Sequence, residues 1–381
     1  MTKGGPMFLK ALNTEGEMKT KEFIFGRLKE VIEEVGSKNV VQVVTDNAGN
    51  CKYAGLRIEA HYKNIFWTPC VVHTLNLAMK DICDPKNNKG GNAELTWIKQ
   101  AGDDAFYIKH YIMNHSMRLS MFNHFSKLKF LAIAETRFAS LHIMLKRLML
   151  VKPSLEKMVL SDEWNNYKED DLEKAAYVKQ LILNEVWWGK IKFIIAFTEP
   201  IYSMIRVADT DKSTLHLIYE MWDTMIEKVK VAIYREERKE HWEESPFHDV
   251  VHDILIVRWT KSYTPLHCMA HSVNPKYYTS SWIEEVPGRV SPHNDAEISE
   301  NRNKFFKKFF TNQDDMRRVK QQFADFSLCM NAFEDPEAIE DRAHFDPKHW
   351  WGTYGVHTPE LKDLALMLLG QPSSSSCCER N

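Results

Sequence analysis

From Lys21 to Val35 the apolar residues Phe23, Ile24, Leu28, Val31, Ile32 and Val35 recur three and four positions apart, which predicts a helix stopped by Gly36. The next apolar run is of a different kind. Val40-Val41-Gln42-Val43-Val44-Thr45 is short, β-branched and nearly continuous, as a strand buried on both faces requires. It ends in Asp46-Asn47, so an acid stands at the carboxyl end of a strand, where open α/β sheets keep their chemistry. A helical pattern from Ala48 to Tyr62, a short strand around Ile65 to Trp67 and an amphipathic helix from His73 to about Cys83 follow, the last with Leu75, Met79 and Ile82 on one side. Met7 to Leu12 reads as a strand closed by the turn Asn13-Thr14-Glu15-Gly16, which makes strand, helix and strand a crossover unit.

Beyond position 85 the pattern changes. Asp84-Pro85-Lys86-Asn87-Asn88-Lys89-Gly90-Gly91-Asn92 combines most loop-forming residue types, and no strand-like alternation follows between Leu95 and about Tyr263. The clearest helical stripe there is Leu215, Ile218, Trp222, Met225 and Val229. Pro287 to Asn294 reads as a second linker, helices resume to about Phe326, and Asp335 to Asn381 is helical again before the closing run Ser373 to Ser376. The expected divisions are therefore 1–85, 86–330 and 331–381.

Composition narrows the classes. Apolar residues make up 44% and charged residues 27% of 381, which fits an ordinary globular protein. Fifty Lys and Arg against 52 Asp and Glu leave no overall basic field to hold nucleic acid, so any DNA contact must use local patches. The seven cysteines form no regular framework, their odd number leaves one unpaired in any disulfide scheme, and a reducing compartment is expected. No run reaches the roughly 18 to 20 apolar residues of a membrane span.

Each candidate motif has a plain structural reading beside the chemical one. Asp46 with Asn47 could cap the helix that begins at once, or Asp46 could be a metal-binding carboxylate. A lone acid does not suffice for two-metal phosphodiester chemistry, which needs at least three convergent carboxylates. Cys70 and His73 have the spacing of half a zinc site, but no second pair follows, and a buried Cys beside a hydrogen-bonded His is expected instead. Arg137-Phe138 joins a cation to a ring, which either packs and caps or stacks on a base. Lys304 to Phe310 and Arg317 to Lys320 are the most basic stretches, read most simply as a solvated face above an aromatic one, with DNA contact as the alternative. His349-Trp350-Trp351-Gly352-Thr353-Tyr354, with Leu361 after it, suits a core or a subunit contact equally.

In order, Val40 to Asn50 (VVQVVTDNAGN), Phe66 to Leu77 (FWTPCVVHTLNL), Thr136 to Ser140 (TRFAS), Arg258-Trp259 with Pro265-Leu266-His267 and Asn274-Pro275, and Asp346 to Asn381 resemble segments of plant-type hAT-superfamily transposases. The resemblance implies an α/β fold with a large all-α insertion: an RNase H-like mixed sheet flanked by helices in 1–85, lacking its first strand, a helical insertion in 86–330, and a dimerisation-like segment in 331–381 that ends in the catalytic-helix motif. It implies Asp46 and Glu379 as remnants of an Asp-Asp-Glu triad, Cys70 and His73 as the CxxH motif beside them, and Arg137 with Phe138 as a DNA contact in which Phe replaces the family's Trp. Trp350, Trp351, Tyr354 and Leu361 are then expected at a dimer interface. Nothing before Met7 supplies the family's first aspartate, its zinc-finger module is missing, and the chain stops just past Glu379, so both ends look cut. The expected protein is transposase-derived and catalytically incomplete, retaining dimerisation and weak DNA binding. The competing expectations are an active DNA transposase, if the native protein is longer, and a DNA-binding transcriptional regulator. No cofactor is expected unless the protein is active, when Asp46 and Glu379 would hold Mg²⁺ or Mn²⁺. The expected partners are a second copy and DNA, with no membrane and no small-molecule substrate, in the nucleus.

Overall fold

The computed structural model describes residues 7–84, 93–130, 139–167, 171–376 and 378. Helix α1 (Lys21–Val35) starts where Thr20 Oγ1 accepts the Phe23 N–H at 3.2 Å and stops at Gly36, whose φ of 88° suits glycine. Strand β1 (Gln42–Thr45), helix α2 (Gly49–His61) and strand β2 (Phe66–Pro69) then form one parallel crossover, with Gln42 beside Phe66 and Thr45 beside Pro69. Helix α3 (Val71–Cys83) leaves directly from the end of β2.

The mixed RNase H-like sheet expected from the sequence is not found. Among the described residues the sheet consists of β1 and β2 alone, and every other regular element is a helix. Met7 to Leu12, expected as a strand, carries no strand pairing, and its side chains are exposed. Apolar segments later in the chain keep the 3.6-residue period, so they bury a stripe against other helices and add no strands.

Backbone contacts divide the chain into two compact units. One comprises Met1–Thr74, Arg206–Asp223 and Trp259–Asn381, and contains the sheet. Its core is aromatic: Phe305, Phe306, Phe323, Phe326, Phe333, Trp350 and Trp351 gather with Leu361, Leu364 and Leu368 around Val41 and Phe66. Phe66 stacks on Phe305 at 5.0 Å between ring centres. Opposite, Val40 and Val43 join Ile32 of α1, Ile58 of α2 and Ile65 in a smaller cluster, so apolar groups line both faces of β1. The other unit, Leu75–Ile205 and Thr224–Arg258, is helical, and the rings of Trp97, Phe193, Phe197 and Phe247 meet there.

Gly55 shows how tightly α2 sits on the sheet. A methyl group at this position would stand 2.0 Å from Cδ1 of Trp67, whose indole N–H donates to Thr45 Oγ1 at 2.9 Å. Gly to Ala inside a helix ordinarily stabilises by up to ~1 kcal/mol. Here Gly55→Ala is expected to destabilise by about 1–3 kcal/mol, because α2 or the buried indole must move. Urea unfolding of the variant measures the sign directly.

Candidate functional site

The carboxyl end of β1 gathers residues that lie far apart in the sequence. Thr45 accepts the Cys70 N–H at 2.8 Å, which joins the strand end to the start of α3. Asp46 comes next; its Oδ1 accepts the Ala48 N–H at 2.9 Å, and its carboxylate also binds the Cys51 thiol. The capping reading does not hold: the N-cap of α2 is Ala48, which has no side-chain cap, and Asp46 instead closes an i to i+2 turn just ahead of the helix. Burial first, and then the Asp46 hydrogen bond and charge, push the Cys51 thiol up to about 11, so it stays protonated.

Beside Asp46, Asn47 donates to Thr74 Oγ1 at 2.8 Å, and Thr74 meets Ser262 at 3.0 Å while bonding the Cys70 carbonyl at 3.1 Å. Polar side chains from three parts of the chain thus bond to one another behind the strand end, while the Asn47 side-chain oxygen stays buried without a partner. Sequence reading did not single out Thr74, although it lies in the resembling segment Phe66 to Leu77, or Ser262, which belongs to none of those segments.

Cys70 is the centre of the arrangement. It is fully buried, with Ser374 Oγ at 3.4 Å from its sulfur and the Ser375 N–H donating to that sulfur at 3.4 Å. Burial pushes the thiol up, but hydrogen bonds from the His73 side chain, Ser374, Ser375 and the His73 N–H outweigh it and bring the thiol down to about 7. The Cys70 and His73 spacing therefore serves a hydrogen-bonded pair. Among the described residues no three His, Cys, Asp or Glu side chains lie together as a metal site would require.

The serine run is held by more than sulfur. Val71 donates its N–H to the Ser373 carbonyl at 3.0 Å, Thr214 Oγ1 meets Ser373 Oγ at 2.7 Å, and Leu215 N–H reaches the Gln371 carbonyl at 3.2 Å. Ser374 Oγ accepts the Ser376 N–H at 3.0 Å, which starts the final turn. Ser373, Ser374 and Ser376 are buried, and each finds its partners inside the protein. The segment leading toward Glu379 thus lies at the strand end that carries Asp46. Glu379, Arg137 and Phe138 themselves fall outside the described residues.

Other expected site residues have plain structural duties. Trp350 and Trp351 are 0% exposed within the sheet-containing unit, with indole N–H groups donating to Ala338 and Val273 carbonyls at 2.8 and 2.7 Å. Leu361 is buried with them, and Tyr354 is partly buried with its hydroxyl on Asp341 at 2.5 Å. Three of the four residues expected at a subunit contact thus point into the chain's own core, out of a partner's reach. Lys304 pairs with Glu300, Lys308 with Glu59, Arg317 with Asp314, and Arg318 with Asp315 and Glu360. Lys304 and Arg317 have partners on their own helices, as a solvated face would, whereas Lys308 is half buried between Glu59 and the Phe66 ring and so belongs to the packing. His267 forms a capping box with Thr264, Pro265 takes the first helical position between them, and Asn274 caps the turn at Pro275 by accepting the Lys276 N–H.

In the all-helical unit, Thr198, His142 and Glu199 line up like a nucleophile, base and acid, with His142 Nδ1 at 2.8 Å from Thr198 Oγ1 and Nε2 at 3.1 Å from Glu199. The Thr198 hydroxyl is buried and already donates to the Ile194 carbonyl at 2.5 Å, so the row is a packing network with no route for a substrate. Among the described residues no helix is long and apolar enough to cross a membrane. A comparison with curated proteins gives no match. Residues 1–108, which run from before α1 through both strands and past α3, match the family model described as Domain of unknown function (DUF659).

Proposed function

We propose that this chain is a transposase-derived protein that retains the framework of a DNA-processing centre without cutting DNA by itself. One observation carries the reading: the Cys70 and His73 motif and the serine run some 300 residues later meet at the strand end that bears Asp46. Two separate segments of the hAT resemblance thus share one location, which chance similarity of short motifs does not require. The DUF659 match over residues 1–108 agrees, because that domain occurs in hAT-like, transposase-related plant proteins.

The absence of cutting follows from charge. Two divalent ions on a phosphodiester need three convergent carboxylates, whereas among the described residues no three acidic, His or Cys side chains gather at one point, and Asp46 itself closes a turn. Losing one member of such a unit removes most of the rate, not a share of it. The same convergence favours a second reading, an active Mg²⁺- or Mn²⁺-dependent transposase, if the native protein supplies the missing acid from a longer chain. Incubation of the purified chain with Mg²⁺ or Mn²⁺ and end-labelled duplex DNA separates the two. No cleavage above background is expected, and strand breaks that vanish in Asp46→Asn would establish the active enzyme instead.

A further inference from the structure

We propose that His248 and His252 form a two-imidazole site for an exchangeable divalent cation of the Zn²⁺ class. Both stand on the helix Pro246–Thr260 of the all-helical unit, in the run His248-Asp249-Val250-Val251-His252-Asp253. Histidines four apart on a helix lie one above the other on the same face, which is the spacing that lets two rings share one ion. The geometry agrees. With nitrogen–metal bonds of about 2.0–2.1 Å each ring centre stands about 3.2 Å from a shared ion, and a tetrahedral angle then puts the two centres about 5.2 Å apart. Here they are 5.6 Å apart.

The rings are also held as metal ligands are. His248 Nδ1 lies 3.1 Å from the Asp249 carboxylate and His252 Nδ1 lies 3.8 Å from that of Asp253, so each ring turns Nδ1 to the acid beside it. A carboxylate on one ring nitrogen fixes the tautomer and makes the other nitrogen a better donor. That other nitrogen is Nε2. Neither Nε2 has a protein partner and neither is buried, so both are open to an ion from solvent. Tyr234 meets the His248 ring edge-on at 5.4 Å and limits its rotation. Asp249 and Asp253 pair with no Lys or Arg among the described residues, which leaves their charge to attract a cation. A resident structural metal would need more protein ligands, and among the described residues no third His, Cys, Asp or Glu side chain converges with the two rings. Water therefore completes the shell, and the ion exchanges. Imidazole donors favour Zn²⁺, Cu²⁺ or Ni²⁺ over Mg²⁺, so the site differs in chemistry from a carboxylate centre and stands independently of the transposase reading.

Isothermal titration of the metal-free whole chain with ZnCl₂ tests it, run beside His252→Ala, His248→Ala and the double variant. The His252 side chain is 40% exposed, so its removal leaves folding intact, and circular dichroism of each variant checks this. The expected result is one Zn²⁺ equivalent whose affinity falls at least about tenfold in His252→Ala, since loss of an orienting partner alone costs a metal site that much. His248→Ala should show the same loss, and the double variant should lose little more than either single one, because both rings serve one ion. MgCl₂ at equal concentration should not displace the Zn²⁺. A chain that takes up no Zn²⁺, uptake that is the same in His252→Ala, or displacement by Mg²⁺ would each overturn the proposal.

Discussion

Trp351→Ala is expected to cost about 3–5 kcal/mol, enough to unfold much of the protein at 37 °C if its stability lies in the usual range. The indole is fully buried among Trp350, Phe326 and Phe333, with ring centres 4.8 to 5.9 Å away, and a methyl group at Gly355 would come within 2.9 Å of its Cε3. Its removal opens a cavity in a rigid ring cluster that has little room to collapse, and it leaves the Val273 carbonyl without its donor. Trp351→Phe keeps most of the apolar contact but not the hydrogen bond, and should cost about 1–3 kcal/mol. Chemical denaturation of both variants orders them. Near-native stability for Trp351→Ala would place this side chain outside the core.

Acid should unfold the protein well above the range in which carboxylates titrate. His267, His271 and His216 are buried in the sheet-containing unit, and burial holds the first two down to about 4 and about 3 and the third to about 4. For His271 the neighbouring His216 and Arg289 add repulsion to burial. The sign follows from linkage. These groups are neutral when folded, while the unfolded chain binds a proton near pH 6.5, so stability is fully present above that pH and falls below it until the folded groups also titrate near pH 3–4. At pH 5 each such histidine has cost about 2 kcal/mol, so the three together cost on the order of 5 kcal/mol. Denaturant melts at pH 7 and pH 5 should show that loss. His271→Phe, which preserves stacking on Tyr277 at 4.1 Å, should recover roughly a third of it, and a pH-independent melt would contradict the account.

Much of the fold was legible in the residues, for reasons that are local. Helix α1 has the boundaries its apolar spacing and Gly36 predict, and β1, α2, β2 and α3 fall within a few residues of expectation, because period and punctuation are properties of neighbouring residues. The failure at Met7 to Leu12 has the opposite origin. Composition there suits a strand, but strand formation needs a partner edge, and pairing is not encoded in six residues. The full RNase H-like sheet failed with it, since the resemblance promised more strands than the chain pairs. Trp350 and Trp351 could be core or contact by composition, and only packing decides for the core.

The site was half legible. Asp46 at a strand end and Cys70 beside His73 were visible as local patterns. The clasp on Ser373 to Ser376 was not, because the sulfur and its serine partner Ser374 are 304 positions apart and join through hydrogen bonds that leave no periodic trace. Only the resemblance suggested that the two ends share a location.

That meeting of the two ends is most directly tested by amide hydrogen exchange resolved to single residues. Val71 and Ser375 should exchange only on cooperative unfolding, and Cys70→Ala should speed Ser375 at least about tenfold while leaving Val43 unchanged, since the sulfur is the acceptor for the Ser375 N–H. A Ser375 amide that exchanges in the unaltered protein as fast as in a free peptide would contradict the account.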